Sequence, residues 1–459
     1  MTRLSDEAPE PATTEPVRWG PILAMGLAML MVTLEMSLAS VTLPAIGTEL
    51  GVGSAATKWV ILAYALPAAA LAIPLGRWVD HADARAVFLL AVTGVGLTSL
   101  VTAAAPAFWI LLAARFLQGV MGALVAAVYM PIVAASVRPE QRGRALGYVA
   151  TIMPVGSLAG APLGGLVADG WGWRPVFLIK LPVLVLVLWL GGRLLPRGKG
   201  GLPAPGRSLL GDTLVLGGAV TALLLALDRI EVGAVAAAAV LAVLTVVLTA
   251  WWVRLRSSRP IIKLARRPAF GLPLLSLLLM ASYIGLTLFL LPFYVSDVLH
   301  GGAGMMGLSM LFFIGAVALG SPISGWLADR YPPRLVLGAG GALTLAGTVS
   351  MLTLGQDAGV ADLAWRLALV GIGQSLFNVP VNTAMLAATP PGMIGTGAGV
   401  GMTVRTLAFT VGPSLAALAY GLASGGAAGF RTGVIVLAVL QAAGLAAGIA
   451  TKARAVRDS

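Results

Sequence analysis

Residues 76–80 read Gly-Arg-Trp-Val-Asp, and residues 325–329 read Gly-Trp-Leu-Ala-Asp, 249 positions further along the chain. Two other features recur at an offset of 251. Arg115, followed by Gln-Gly, matches Arg366, followed by Gly-Gln, and Ala-Pro at 161–162 matches Gly-Pro at 412–413. Three collinear matches indicate an internal repeat, so the sequence predicts two homologous halves.

The regions around these repeats are strongly apolar. Of 459 residues, 58% are hydrophobic and only 10% are charged, and the mean hydropathy is +0.95. A set of water-soluble domains could not bury so much apolar surface, which leaves a polytopic membrane protein. The chain has no cysteine, which excludes disulfides and thiolate metal sites, and its two histidines form no metal-binding cluster, so we expect no cofactor and no enzyme.

Apolar runs of roughly membrane-spanning length predict fourteen helices. They lie at 20–42, 56–76, 86–105, 107–131, 144–167, 175–195, 210–228, 232–253, 270–295, 305–328, 334–354, 363–387, 395–422 and 431–450. The fold class expected is an all-α membrane protein with two six-helix bundles and two extra central helices. The domains predicted are a disordered tail (1–19), an N-terminal bundle (20–195), a linker with the extra pair (196–268), a C-terminal bundle (269–450) and a second tail (451–459).

The positions of the basic residues set the expected orientation. With both termini in the cytoplasm, most of the 30 lysines and arginines fall on the cytoplasmic side, and only Arg115, Lys180 and Arg405 fall within spans. The net charge of +12 is then a property of the cytoplasmic face. We therefore expect membrane lipids, and no nucleic acid, as partners.

Several motifs within this pattern resemble those of a known family. The repeated loop at 76–85 and 325–334, the run Arg115–Gly122 and the span-one run Leu34–Pro44 are similar to motifs of the major facilitator superfamily, and in particular of its fourteen-span drug:proton antiporters. The family's antiporter motif corresponds to Gly156, Gly160, Pro162, Gly164 and Gly165. Four positions depart from the pattern. Glu35 replaces the usual Asp and Lys180 the usual Asn, and Asp83 and Pro332 stand where the two loop copies usually have Gly. The resemblance implies a monomeric bacterial inner-membrane exporter of hydrophobic or amphipathic molecules, driven by protons through alternating access.

Glu35 is the candidate proton carrier, because it is the only acidic residue deep inside a predicted span. A carboxylate in the membrane interior either exchanges protons or is permanently paired with a basic residue, and both interpretations remain open. The resemblance implies that Arg115 adjusts the protonation of Glu35, although Arg115 could instead tie its helix to neighbouring carbonyl groups. Gln118 shares the helix face of Arg115.

A polar stripe predicts the substrate cavity. Gln374, Asn378 and Asn382 recur every four residues on one apolar helix, so they should face the cavity or hydrogen-bond between helices. Tyr283 and Gln118 are further candidates for the cavity. Lys180 could reach the membrane interface, pair with Glu35 or contact substrate, and Arg405 could face the cavity or lock the second half.

Other residues are candidates for gating. The charged and glycine positions of the repeated loop should form contacts that break when the transporter opens inward, or they serve topology alone; they are Gly76, Asp80, Arg85, Gly325, Asp329, Arg330 and Arg334. The four glycines of the antiporter motif have the small-residue spacing that lets helices approach closely.

Because the predicted spans hold three basic residues and one acid, we expect a neutral, weakly basic or anionic amphipathic substrate. Two alternatives are export or flipping of a lipid-like metabolite and uptake of a nutrient by symport. No Gly-rich ATP-binding loop supports a primary pump.

Overall fold

The computed structural model describes residues 19–57, 59–198, 201–204, 206–231, 234–301 and 303–455. Residues 1–18 and 456–459, which belong to the two predicted tails, lie outside the described residues, as does the placement of the Pro162 side chain. Helices are the only regular secondary structure among the described residues, and none of these residues forms a strand.

The α-helices of the N-terminal half precede those of the linker. They are α1 (Trp19–Glu49), α2 (Ser54–Thr57), α3 (Trp59–Ala70), α4 (Ala72–Val79), α5 (Ala84–Ala104), α6 (Phe108–Ser136), α7 (Arg142–Trp171), α8 (Trp173–Val176) and α9 (Leu181–Leu194). The linker contains α10 (Arg207–Asp212), α11 (Gly218–Glu231), α12 (Val235–Arg254) and α13 (Arg259–Arg266).

The C-terminal half follows. It consists of α14 (Pro268–Met280), α15 (Tyr283–Gly285), α16 (Leu291–Asp297), α17 (Ala303–Arg330), α18 (Pro333–Ser350), α19 (Val360–Ala388), α20 (Ile394–Leu422) and α21 (Gly426–Ala455). Two π-helices, Thr213–Gly217 and Leu286–Leu290, continue α10 and α15 respectively. Four short 3₁₀ turns cover Pro139–Gln141, Arg256–Ser258, Met351–Thr353 and Pro391–Met393.

In the described part of the chain, twelve helices are long and apolar enough to cross a membrane, and α3 with α4 adds a thirteenth if the pair is one span. The pair is bent by 49°. Pro74 accounts for the bend, because it cannot donate to the carbonyl of Ala70 and its ring crowds that group. The predicted span 144–167 is the continuous helix α7, which is not among the twelve. The count of fourteen and the sides of the termini stay predictions.

The antiporter-motif glycines lie where α7 packs along α1. A Cβ atom added at Gly156 would lie 2.4 Å from Thr33 Oγ1, and one at Gly160 would lie 2.6 Å from Ser37 Cβ. At Gly164 it would lie 2.8 Å from Val41 Cγ2. Only residues without a side chain permit this approach. Gly165 faces away, with nothing within 4 Å of the added atom.

Candidate functional site

Glu35 lies at the centre of a buried charged cluster in the N-terminal half. Its side chain on α1 is 2% exposed and forms ion pairs with Arg115 on α6 and with Lys180, which immediately precedes α9. Arg115 and Lys180 are 0% and 1% exposed, respectively. The cluster therefore places two basic groups around one carboxylate, away from water.

Further contacts fix the position of Arg115. Its Nε donates to the carbonyl of Val60 at 2.9 Å, and its Nη1 donates to Gln118 Oε1 at 2.8 Å. Gln118 Nε2 in turn donates to Ser99 Oγ at 2.8 Å. The guanidinium also lies 4.9 Å from the ring centre of Tyr64, a distance at which a cation attracts an aromatic face. Arg115 thus pairs with Glu35 and also binds a neighbouring carbonyl, and its effect on the protonation of Glu35 stays a prediction.

The break between α8 and α9 directs Lys180 into the protein. Pro182, the second residue of α9, has no N–H to continue a helix from the preceding turn. Lys180 thus begins a new helix instead of extending α8, and its side chain pairs with Glu35 and not with the membrane interface. Gln118 and Lys180, which we expected in the substrate cavity, both lie in the charged cluster.

A second polar site lies in the C-terminal half. A small cavity of about 30 Å³ is lined by Gln374 and Asn378 of α19, Arg405 of α20 and Tyr283 of α15, together with apolar side chains. Arg405 Nη2 donates to Asn382 Oδ1 at 2.8 Å. Arg405 therefore meets Gln374 and Asn378 of the predicted polar stripe at one cavity, and it binds Asn382 directly. Within the stripe, Asn378 Nδ2 lies 3.4 Å from Gln374 Oε1.

Two contacts join the halves at the end of the bundle that is predicted to be cytoplasmic. Asp80, just after α4, accepts hydrogen bonds from the backbone N–H groups of Gly395 and Thr396 at the start of α20, at 2.5 and 2.8 Å. Burial raises the pKa of the Asp80 carboxyl above its ordinary value, an effect opposed by the hydrogen bonds from Thr396 and Gly395. We call this the Asp80 contact.

The Asp329 contact repeats this arrangement with the two halves exchanged, so that an acidic residue of the C-terminal half binds a helix of the N-terminal half. Asp329 on α17 accepts from the backbone N–H of Arg144, in the first turn of α7, at 3.1 and 3.2 Å for its two oxygens. The Asp that recurs in both copies of the loop, Asp80 or Asp329, thus binds the N-terminus of a helix of the opposite half, where the helix dipole favours negative charge.

The repeated glycines lie beside these two contacts. A Cβ atom at Gly76 would lie 2.2 Å from the carbonyl oxygen of Gly395, and one at Gly325 would lie 2.8 Å from that of Gly143. The glycines therefore allow the halves to approach until their backbones touch.

The remaining candidate gating residues make local contacts within the described structure. Arg85 Nη2 donates to the carbonyl of Gly192 in its own half. Arg330 lies 5.5 Å from the ring centre of Trp326, and Arg334 is exposed at the start of α18. Among the described residues none of these three arginines forms an ion pair across the bundle, and their role in gating stays a prediction.

Sequence reasoning missed one buried acidic residue, Asp212 at the end of α10. It is 1% exposed and pairs with Arg77 of the repeated loop. Its Oδ1 accepts from Ser257 Oγ at 2.6 Å and from Trp252 Nε1 at 3.1 Å. The extra helical pair is therefore attached to the loop that precedes the Asp80 contact. No sequence pattern pointed to this residue, because Asp212 lies at the margin of an apolar run.

Comparison with known proteins agrees with this architecture. Residues 25–413 match the model of the Major Facilitator Superfamily. The multidrug resistance protein Stp of Mycobacterium tuberculosis is 28% identical over 398 residues, which cover 85% of this chain and 74% of that protein. The puromycin resistance protein pur8 of Streptomyces alboniger is 30% identical over 414 residues, which cover 87% of this chain and 81% of that protein.

Solved structures show the same fold at lower sequence identity. The human organic anion transporter MFSD10 is 17% identical with a TM-score of 0.66, and the match covers 95% of this chain and all of that one. The proton:xylose symporter XylE is 14% identical with a TM-score of 0.65, over 93% of this chain and 94% of that one. The repeat, the motifs and these matches together show that the chain belongs to the drug-efflux family of the major facilitator superfamily.

Proposed function

We propose that this protein exports hydrophobic or amphipathic small molecules across the bacterial inner membrane in exchange for protons, by alternating access between its two halves. The buried cluster of Glu35, Arg115 and Lys180 is the observation that carries the proposal. The printed names of Stp and pur8 support a drug as the exported molecule.

Charge balance explains how the cluster would handle a proton. With all three groups ionised it holds one unbalanced positive charge inside the membrane, which is an unfavourable place for it. Loss of a single proton makes the cluster neutral. Arg115 keeps its proton under all ordinary conditions, so the exchange takes place at the Glu35–Lys180 pair.

The Asp80 and Asp329 contacts supply the second part of the mechanism. They hold the halves together at the predicted cytoplasmic end, and both must break before the cavity can open there. Proton exchange at the cluster would bias this opening through α1, which packs on α7, the helix whose first turn binds Asp329.

The function is tested with purified protein in proteoliposomes under an imposed pH gradient, with puromycin and a panel of amphipathic compounds. We expect the gradient to drive export of at least one compound and its dissipation to stop export. Export that continues unchanged without a proton gradient would overturn the proposal.

A further inference from the structure

Arg405 occupies an unusual electrostatic position in the cavity of the C-terminal half. It lies on α20, half-buried, and it lines the cavity together with Gln374 and Asn378. Its hydrogen bond goes to the amide oxygen of Asn382. Tyr283 and Tyr129 also interact electrostatically with it, and both carry neutral hydroxyls. Among the described residues, the groups identified around this guanidinium are therefore all uncharged.

Other inward-facing arginines of the described residues have an acidic partner. Arg115 pairs with Glu35, and Arg366 lies 3.6 Å from Asp362. For Arg405, no carboxylate of the described residues lies within ion-pairing distance. Because a charge in the membrane interior is costly without a counter-ion, an arginine left in this state indicates that the counter-ion comes from outside the protein.

We propose that the cavity binds an organic anion, whose negatively charged group pairs with Arg405. This inference rests on the proposed function and names the substrate class of that exporter. Arginine suits the role because its planar guanidinium offers two parallel N–H groups to a carboxylate, sulfonate or phosphate.

The rest of the cavity fits an amphipathic molecule. Leu277, Ile284 and Phe377 form an apolar wall next to Arg405, and the amides of Gln374 and Asn378 offer neutral hydrogen bonds. In the present state the cavity of about 30 Å³ has room for the anionic group alone. The apolar part of the ligand would occupy the space that opens as the halves separate.

Equilibrium binding tests the inference without any need for transport. The protein in phosphatidylcholine nanodiscs is titrated calorimetrically with three probes that share a naphthalene ring and a two-carbon side chain. They end in an anionic, a neutral and a cationic group, and they are 2-naphthylacetate, 2-naphthylacetamide and 2-(2-naphthyl)ethylamine. We expect the anion to bind about tenfold more tightly than either other probe, because a hydrogen-bonded charge pair contributes more than a neutral contact.

Three variants complete the design. Arg405→Gln should remove the preference for the anion, whereas Arg405→Lys should keep most of it. Arg193→Gln, which removes an exposed arginine over Trp189 at the end of α9, should behave as the wild type. Equal or weaker binding of the anion by the wild type, binding of none of the probes, or an anion preference that survives in Arg405→Gln would overturn the inference.

A lipid headgroup and a soluble anion share this chemistry. Replacing phosphatidylcholine by phosphatidylglycerol separates them, because only a lipid ligand would compete with naphthylacetate. Competition assigns the site to an anionic lipid-like molecule, and its absence assigns the site to a soluble organic anion. Since no pH gradient is present in the assay, failure here would leave proton-driven export unaffected, and failure of export would leave this binding result standing.

Discussion

Glu35 and Lys180 are 145 positions apart in the sequence, yet their charged groups form an ion pair inside the N-terminal half, with Arg115 on the other carboxylate oxygen. The pair joins the first membrane helix to the start of α9. Because one carboxylate faces two basic groups, a change at any one of the three alters the charge of the whole cluster.

Replacing Glu35 by Gln should abolish export driven by a pH gradient, because the variant lacks the carboxylate of the Glu35–Lys180 pair and leaves a protonated Lys180 without its counter-ion. Breaking a buried ion pair costs about 3–5 kcal/mol, so we also expect a lower melting temperature in a protein that still folds. Both effects are measured in proteoliposomes and by thermal unfolding. Glu49→Gln is the matched control, since Glu49 is half-exposed in its pair with Arg174. Undiminished gradient-driven export in Glu35→Gln would remove Glu35 from the mechanism.

Replacing Lys180 by Met should give a protein at least as stable as the wild type, because Glu35 and Arg115 remain as a balanced pair. The same change should remove substrate-induced proton release, which is recorded with the purified protein in weakly buffered solution. Lys263→Met, at an exposed position on α13, serves as the control. Proton release of normal size in Lys180→Met would show that another group carries the proton.

Replacing Asp80 and Asp329 together by Asn should weaken both contacts between the halves. A hydrogen bond to a charged group contributes about 1.5–3 kcal/mol, so each loss should shift the equilibrium towards the open form about tenfold or more. The chain has no cysteine, so spin labels at Glu140→Cys and Leu335→Cys, both exposed, report the separation directly. Asp357→Asn changes an exposed acidic residue elsewhere and should have no effect. An unchanged distance distribution in the double variant would contradict the assigned role.

Replacing Gly76 by Ala should open the same end of the molecule by a steric route. The added methyl group would lie 2.2 Å from the carbonyl oxygen of Gly395, which no local adjustment of a side chain can relieve. Gly165→Ala is the matched control, because its methyl group meets nothing within 4 Å and gains the same helix propensity. We expect the label separation to increase in Gly76→Ala alone. Equal label separations in the two variants would show that the close approach of Gly76 to Gly395 does not control the opening of this end.

The sequence alone was enough to predict two homologous halves and to single out Glu35 as a buried acidic residue. A repeated loop motif is typical of a duplicated bundle, and a single acid within an apolar run indicates a functional group in the membrane interior. The sequence was also sufficient to gather Gln374, Asn378 and Asn382 on one face, since helical periodicity fixes their spacing. It could not pair Lys180 with Glu35, because that contact depends on where α8 ends. Nor could it show that Asp80 and Asp329 bind backbone N–H groups, since backbone donors have no signature in a sequence.

The attachment of Asp212 to Arg77 bears on how such a protein could be shortened. Excising the linker helices to make a twelve-helix chimera would remove Asp212, the buried acidic partner of Arg77. Arg77 lies a few residues before Asp80, so the loss would occur next to a contact between the halves. The linker helices must therefore move together with the loop that contains Arg77 whenever that end of the protein rearranges. A shortened chimera would need a replacement acid near Arg77, or a neutral residue in its place, before its transport could be compared with that of the parent.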